Sequence, residues 1–150
     1  MEYSKVSKLE EKLITTLKEE YSFYQSLFIL LDKQRDHIKY DRERKLVDLF
    51  GEIERLYSRI KESEDTIATL REENRKIFAL AASSPEIRRL ASSIITLVAK
   101  SLGLARENQD AVDQKHKAIQ ERLIELQKSS KIASYLRTEA AEPYYLDKKQ

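Results

Sequence analysis

Residues 42–82 read RERKLVDLFGEIERLYSRIKESEDTIATLREENRKIFALAA. Within them Leu46, Leu49, Ile53, Leu56, Ile60, Ser63, Ile67, Leu70, Asn74, Ile77 and Ala81 alternate steps of three and four residues without a slip. Apolar side chains at that interval line one face of an α-helix, and a repeat this long is the signature of a coiled-coil seam. The stretch is therefore predicted to form one helix over about 42–82. Ser63 and Asn74 are polar intrusions in the seam. We read them as tolerated polars or positions near water; the alternative is that they fix register or pairing.

Toward the N-terminus, residues 5–40 carry a second helical face. Val6, Leu9, Leu13, Leu17, Tyr24, Leu27, Leu31 and Ile38 follow three- and four-residue steps. Tyr21, Phe23, Phe28, Ile29 and Leu30 widen that face between Tyr21 and Leu31. A face this wide serves two neighbours, or a neighbour and a partner. Residues 39–45 are nearly devoid of apolar side chains, and Asp41 is a good N-cap for the next helix. A turn is expected there, with a single bent helix as the alternative. A straight helix over 5–82 would run to roughly 115 Å.

Toward the C-terminus, Ser83-Ser84-Pro85-Glu86 ends one helix and starts another. Ser84 suits the N-cap, Pro85 the first helical position, and Glu86 the positive end of the dipole. Ile87, Leu90, Ile94, Leu97, Val98, Leu104, Val112, Ile119, Leu123 and Leu126 carry a third helix over about 85–128. Gly103 interrupts it, and Ser101, Asn108 and Lys115 fall on seam positions, so a kink or looser packing is expected between Ser101 and Lys115. Residues 129–150 read as a flexible tail. Ser129-Ser130 loosens it, Ile132, Tyr135 and Leu136 form at most a short helix, and Glu142-Pro143 ends any helix. Three helices of matching length joined by short connections run up, down and up. The predicted fold is all-α, an elongated antiparallel three-helix coiled-coil bundle over 1–128 with a mobile C-terminal tail over 129–150.

Composition agrees with long helices. The 150 residues are 36% charged and include two glycines, two prolines and no cysteine. So few turn formers argue against sandwiches, barrels and α/β folds, and the missing cysteines remove disulfides and thiolate metal sites. The opening Met-Glu-Tyr-Ser-Lys leads into a charged amphipathic stretch rather than a signal peptide, and no apolar run approaches a membrane span. A cytoplasmic location without membrane insertion is expected. Acids and bases nearly balance in every segment, for a net charge of +2. Nucleic acid and anionic lipid are poor candidates for such a chain.

No nucleophile constellation and no phosphate loop is visible, so no catalytic residue, metal or cofactor is assigned and the chain is not expected to be an enzyme. The one metal-like spacing is Asp113-x-x-His116, read as a solvated helix face because the second pair of a di-iron bundle is missing. His37 is most simply a dipole partner at a helix C-terminus. Tyr21 and Tyr24 either pack between helices with their hydroxyls in water or anchor a groove.

The order of features resembles the FlgN family of flagellar export chaperones. The family's first helix, with leucines, a Glu, an aromatic and paired leucines, looks like Leu13, Leu17, Glu20, Tyr24, Leu27 and Leu31. Its Asp and following leucine heptad look like Asp41, Leu46, Leu49, Ile53, Leu56 and Ile60. Its mid-helix Asn and C-terminal Tyr look like Asn108 and Tyr144 or Tyr145. The chain departs from the family at Glu52, where Lys is common, and lacks a second Asn soon after the first and a Gly soon after the terminal Tyr. The resemblance implies a cytoplasmic carrier that holds the apolar C-terminal helices of hook-associated, filament-junction proteins (FlgK- and FlgL-like) and hands them to the flagellar type III export gate. Val112, Ile119, Leu123, Leu126, Ile132, Tyr135 and Leu136 then offer the client-binding face, and Tyr144 and Tyr145 a short extended motif for the export gate. A monomer or weak homodimer is expected. The alternative is a structural coiled-coil protein that self-associates through the Leu46–Ala81 seam.

Overall fold

The computed structural model describes the backbone of residues 2–145 and the side chains of residues 3–137. It is all-helical: α1 (Glu2–Lys39), α2 (Glu43–Glu73), α3 (Arg75–Ala82) and α4 (Pro85–Tyr145) follow one another with one to three residues between them. No strand occurs among the described residues. The chain divides into two compact units, Met1–Gln109 and Asp110–Gln150. That division falls earlier than the boundary expected near Lys128.

In the first unit the seam read from sequence is buried inside the chain. Leu27 and Leu31 of α1 cluster with Leu49, Ile53 and Ile60 of α2 and with Leu104 of α4. A second cluster joins Leu9 and Leu13 with Leu70, Ala81 and Ile87. Late residues of α1 thus meet early residues of α2, and early residues of α1 meet late ones, which is an antiparallel hairpin. Each large aliphatic side chain so buried contributes about 1.5–3 kcal/mol.

The turn between α1 and α2 forms where expected but by a different device. Asp41 is not the N-cap of α2; Arg42 holds that position, with no side-chain cap bond. Asp41 instead has a φ of 53°, the left-handed conformation that Asp tolerates better than most residues. The Arg42 amide donates to the His37 carbonyl at 2.9 Å and the Asp41 amide to the Ile38 carbonyl at 3.3 Å. This 6→1 and 5→2 pair is a Schellman motif. Asp41 therefore ends α1 rather than beginning α2, satisfying carbonyls that would otherwise be orphaned.

The helix expected over 42–82 is broken at Asn74, which caps both α2 and α3 with φ −130° and ψ 36°. Its amide donates to Arg71 at 3.3 Å, leaving the Leu70 carbonyl to the Asn74 side chain, whose Nδ2 donates to it at 2.8 Å. Asn74 thus makes a specific hydrogen bond, satisfying the carbonyl that the break leaves free. Arg75 reaches back to both Glu72 oxygens across the same point.

The start of α4 matches the sequence. The helix opens at Pro85, and the Ser84 carbonyl accepts the first helical bond, from the Arg88 amide at 3.0 Å. The looser packing expected from Ser101 to Lys115 begins later than predicted, because Ser101, Leu104 and Asn108 are all buried. Asn108 donates through Nδ2 to the Leu31 carbonyl and to Gln34 Oε1, both at 2.9 Å. Gly103 does not disturb this, since it faces open space.

The end of α4 is a second correction. The helix does not stop near Lys128 but continues to Tyr145. Ser129 and Ser130 each cost only about 0.5 kcal/mol against better helix formers. Pro143 stands in the last turn, where it forfeits one helical bond and leaves the earlier turns intact. Residues 146–150 of the predicted tail lie outside the described residues.

Candidate functional site

Between the two leucine clusters of the first unit lies a polar band. Glu20 stands between Leu13 and Leu27 on α1, Ser63 between Ile60 and Leu70 on α2, and Ser101 between Ile87 and Leu104 on α4, all buried. Burial, and then the nearby negative charge of Glu64, push the Glu20 carboxyl above its ordinary range. Tyr24 donates its hydroxyl to Glu64 Oε1 at 3.3 Å. Its phenol is pushed up to about 12, first by burial and then by the charges of Glu64 and Glu20, the hydrogen bond to Glu64 and the nearby Tyr57. Tyr24 packs against the leucines of the first cluster, so its ring lies between helices. Ser101 Oγ is buried without a partner. The seam spacing contained Glu20, four residues before Tyr24, but periodicity read from apolar residues alone passes over it.

The wide Tyr21–Leu31 face is only partly covered. Ile29 is exposed, and it borders an open groove of about 430 Å³ together with Ser26, Leu30 and Lys33 of α1 and Glu52, Arg55, Leu56 and Arg59 of α2. Tyr21 lines a smaller depression with Ser92, Ser93, Thr96, Leu97 and Lys100 of α4.

In the second unit the predicted client-binding residues are all exposed, from 43% for Val112 to 65% for Leu126 and Tyr135. Ile119, Leu123, Ile132 and Leu136 fall between those limits, and Ile124 joins them. No described side chain of residues 110–137 is buried. They do not form one face, however. A helix turns by about 100° per residue, so Val112, Ile119, Leu123 and Leu126 fall within about 60° of one another, while Ile132, Tyr135 and Leu136 lie more than about 100° from the centre of that stripe. The seven residues therefore separate into a four-residue stripe and a later, divergent group. The reason is that α4 does not stop, so the tail residues keep the phase of the helix instead of folding back.

The backbones of Tyr144 and Tyr145 close α4, which replaces the extended motif expected after Pro143. Their side chains lie outside the described residues. His116 Nε2 is 3.2 Å from the Gln120 amide nitrogen. Among the described residues no group of three His, Cys, Asp or Glu stands close enough to hold a metal ion, and no helix is long and apolar enough to cross a membrane. No family model, curated protein or solved structure matches the chain.

Proposed function

We propose that the chain is a non-enzymatic, cytoplasmic export chaperone of the FlgN type, which carries the apolar C-terminal helices of hook-associated proteins to a flagellar type III export gate. The observation that carries this reading is the exposed stripe of Val112, Ile119, Leu123 and Leu126, on a stretch of α4 in which no described side chain of residues 110–137 is buried. Four aliphatic anchors at i, i+7, i+11 and i+14 are what a groove-binding or helix-pairing client needs. After association costs, burying them leaves roughly −8 kcal/mol, or about micromolar affinity, suited to a carrier that must release its load. The sequence resemblance through Leu13, Leu17, Glu20, Tyr24, Leu27 and Leu31, and from Asp41 to Ile60, supplies the identity of the client. In this reading α1, α2 with α3, and the first part of α4 make a three-helix antiparallel coiled coil that serves as scaffold.

The rival reading, self-association through Leu46–Ala81, needs an exposed seam. Leu49, Ile53, Ile60, Leu70 and Ala81 are already buried within the chain, and this favours the carrier. The deciding experiment is calorimetric titration of the purified chain with C-terminal segments of filament-junction proteins from the same organism. Micromolar binding that Ile119→Asp together with Leu123→Asp weakens tenfold or more is the expected result, because each charge must then be desolvated against an apolar client. Undiminished binding in that variant, with circular dichroism showing an intact helix content, removes the client from this stripe; the Ser26–Arg59 groove is then the next surface to mutate.

A further inference from the structure

One border of the stripe of Val112, Ile119, Leu123 and Leu126 is basic, and the other, with His116, Gln120 and Gln127, carries no acidic side chain. At about 100° per residue, Lys115 and Arg122 lie along the same edge of the stripe, and Arg137 falls in line with the stripe itself about three turns beyond Leu126. All four carboxylates of residues 110–137, Asp110, Asp113, Glu121 and Glu125, lie on the opposite half of the helix, together with Lys117, Lys128 and Lys131, so the half that bears the stripe carries basic side chains and no acidic one. The segment as a whole is close to balance, so overall charge hides this asymmetry. We infer that the occupant of the stripe is an amphipathic helix whose apolar face is bordered by acidic side chains; this rests on the carrier reading above and specifies its client.

Complementary charge at the edge of an apolar contact adds modest affinity and strong discrimination against the wrong partner. Each exposed ion pair changes affinity by up to about fivefold, and the discrimination is screened by salt. The same borders disfavour the other occupants. A second copy of the chain packed antiparallel would bring its own Lys115 and Arg122 toward these, opposing like charges across the contact, and one packed parallel would set them against uncharged His116, Gln120 and Gln127, with no complementary charge. An anionic bilayer would meet a face of only four aliphatic residues with no aromatic among them, backed by four carboxylates, which is a weak membrane anchor.

The test uses the full chain and three synthetic helical peptides with identical leucine spacing, their apolar faces bordered by Glu, by Gln or by Lys. Fluorescence anisotropy is expected to rank them Glu, Gln, Lys, with about tenfold between the extremes, and the gap should narrow when salt rises from about 0.05 M to about 0.3 M. Arg122→Glu should reduce or reverse the ranking, and Leu123→Asp should weaken all three peptides together. Equal affinities for the three peptides, or a ranking that Arg122→Glu does not move, overturns the acidic border while leaving a binding stripe in place. Peptide binding untouched by Leu123→Asp overturns the stripe itself and the carrier reading with it. A preference for vesicles of anionic lipid over every peptide, or a dimer in sedimentation that Leu123→Asp returns to monomer, overturns the proposal in favour of those occupants. Circular dichroism of each variant separates loss of binding from loss of helix.

Discussion

The first and second parts of α4 use the same residues to opposite ends. Ile87, Ile94 and Leu104 are 5%, 9% and 7% exposed, whereas Ile119, Leu123 and Leu126 are 57%, 54% and 65% exposed. Both stretches space aliphatic side chains at helical intervals among charged ones, and both are helix. The difference is the company available. Up to Asn108 the helix packs its aliphatic face against α1 and α2 within the first unit, whereas no described side chain of residues 110–137 is buried. Helical periodicity reports that a face wants covering; it does not report whether the chain itself covers it. Where it does, the face is core, and where it does not, the face is available to another molecule.

The strongest way to break this comparison is to truncate one aliphatic residue in each part. Leu104→Ala, in the cluster that also holds Ile60, should cost about 2–5 kcal/mol, as buried large-to-small changes do. Leu123→Ala should change stability by no more than about 0.5 kcal/mol. Urea unfolding of both variants decides it. Comparable losses would mean that the exposed stripe is covered in solution by something the chain supplies itself.

A smaller effect is expected at Asn74. The amide side chain satisfies the Leu70 carbonyl at the break between α2 and α3, and Asn74→Leu removes that bond. A loss of about 1 kcal/mol is expected, measured by the same unfolding curves. A neutral or stabilised variant would show that Leu restores a continuous helix and seam, and that the break belongs to this one side chain rather than to the packing of α3.

The contrast between Asn74 and Ser84 explains what the sequence discloses. Ser84-Pro85-Glu86 carries three start signals that agree, and α4 opens at Pro85. Asn74 occupies a seam position with no Gly or Pro beside it, so counting threes and fours carries the helix straight through. Asp41 is ambiguous for a physical reason: a short carboxylate serves an N-cap or a left-handed C-terminal residue, and only the backbone distinguishes them. The three helix-bearing stretches and the apolar seam were legible because leucine periodicity is redundant over many turns. The end of α4 was not, because Ser129-Ser130 weakens a helix without a residue that forbids it. Of the candidate site, the exposed residues were legible as apolar and helical. Their exposure, and the angular split between Leu126 and Ile132, depend on where α4 stops.

The smallest effect concerns the polar band, and it separates the two units by pH. The Glu20 carboxyl is held above its ordinary value of 4.5, by burial first and by Glu64 second. Across the window from 4.5 up to that raised value, the folded chain retains a proton that the unfolded chain has released. Stability therefore falls as pH rises through the window, and the whole cost of the buried charge is present above it. Glu20→Gln keeps the shape and removes the charge. It should stabilise the chain at about pH 8, where the wild-type carboxylate is ionised, and the gain should shrink and vanish as pH falls below the window. Glu64→Gln should relieve only the smaller, electrostatic part, because its amide oxygen can still accept the Tyr24 hydroxyl. Melting curves at a series of pH values measure both. Binding to the Val112–Leu126 stripe, compared at one pH, should be the same in Glu20→Gln and wild type. A Glu20→Gln variant that is less stable at every pH would mean that the ionised carboxylate is a paired, structural group, and a change in peptide affinity would mean that the buried band of the first unit and the exposed stripe of the second are energetically coupled.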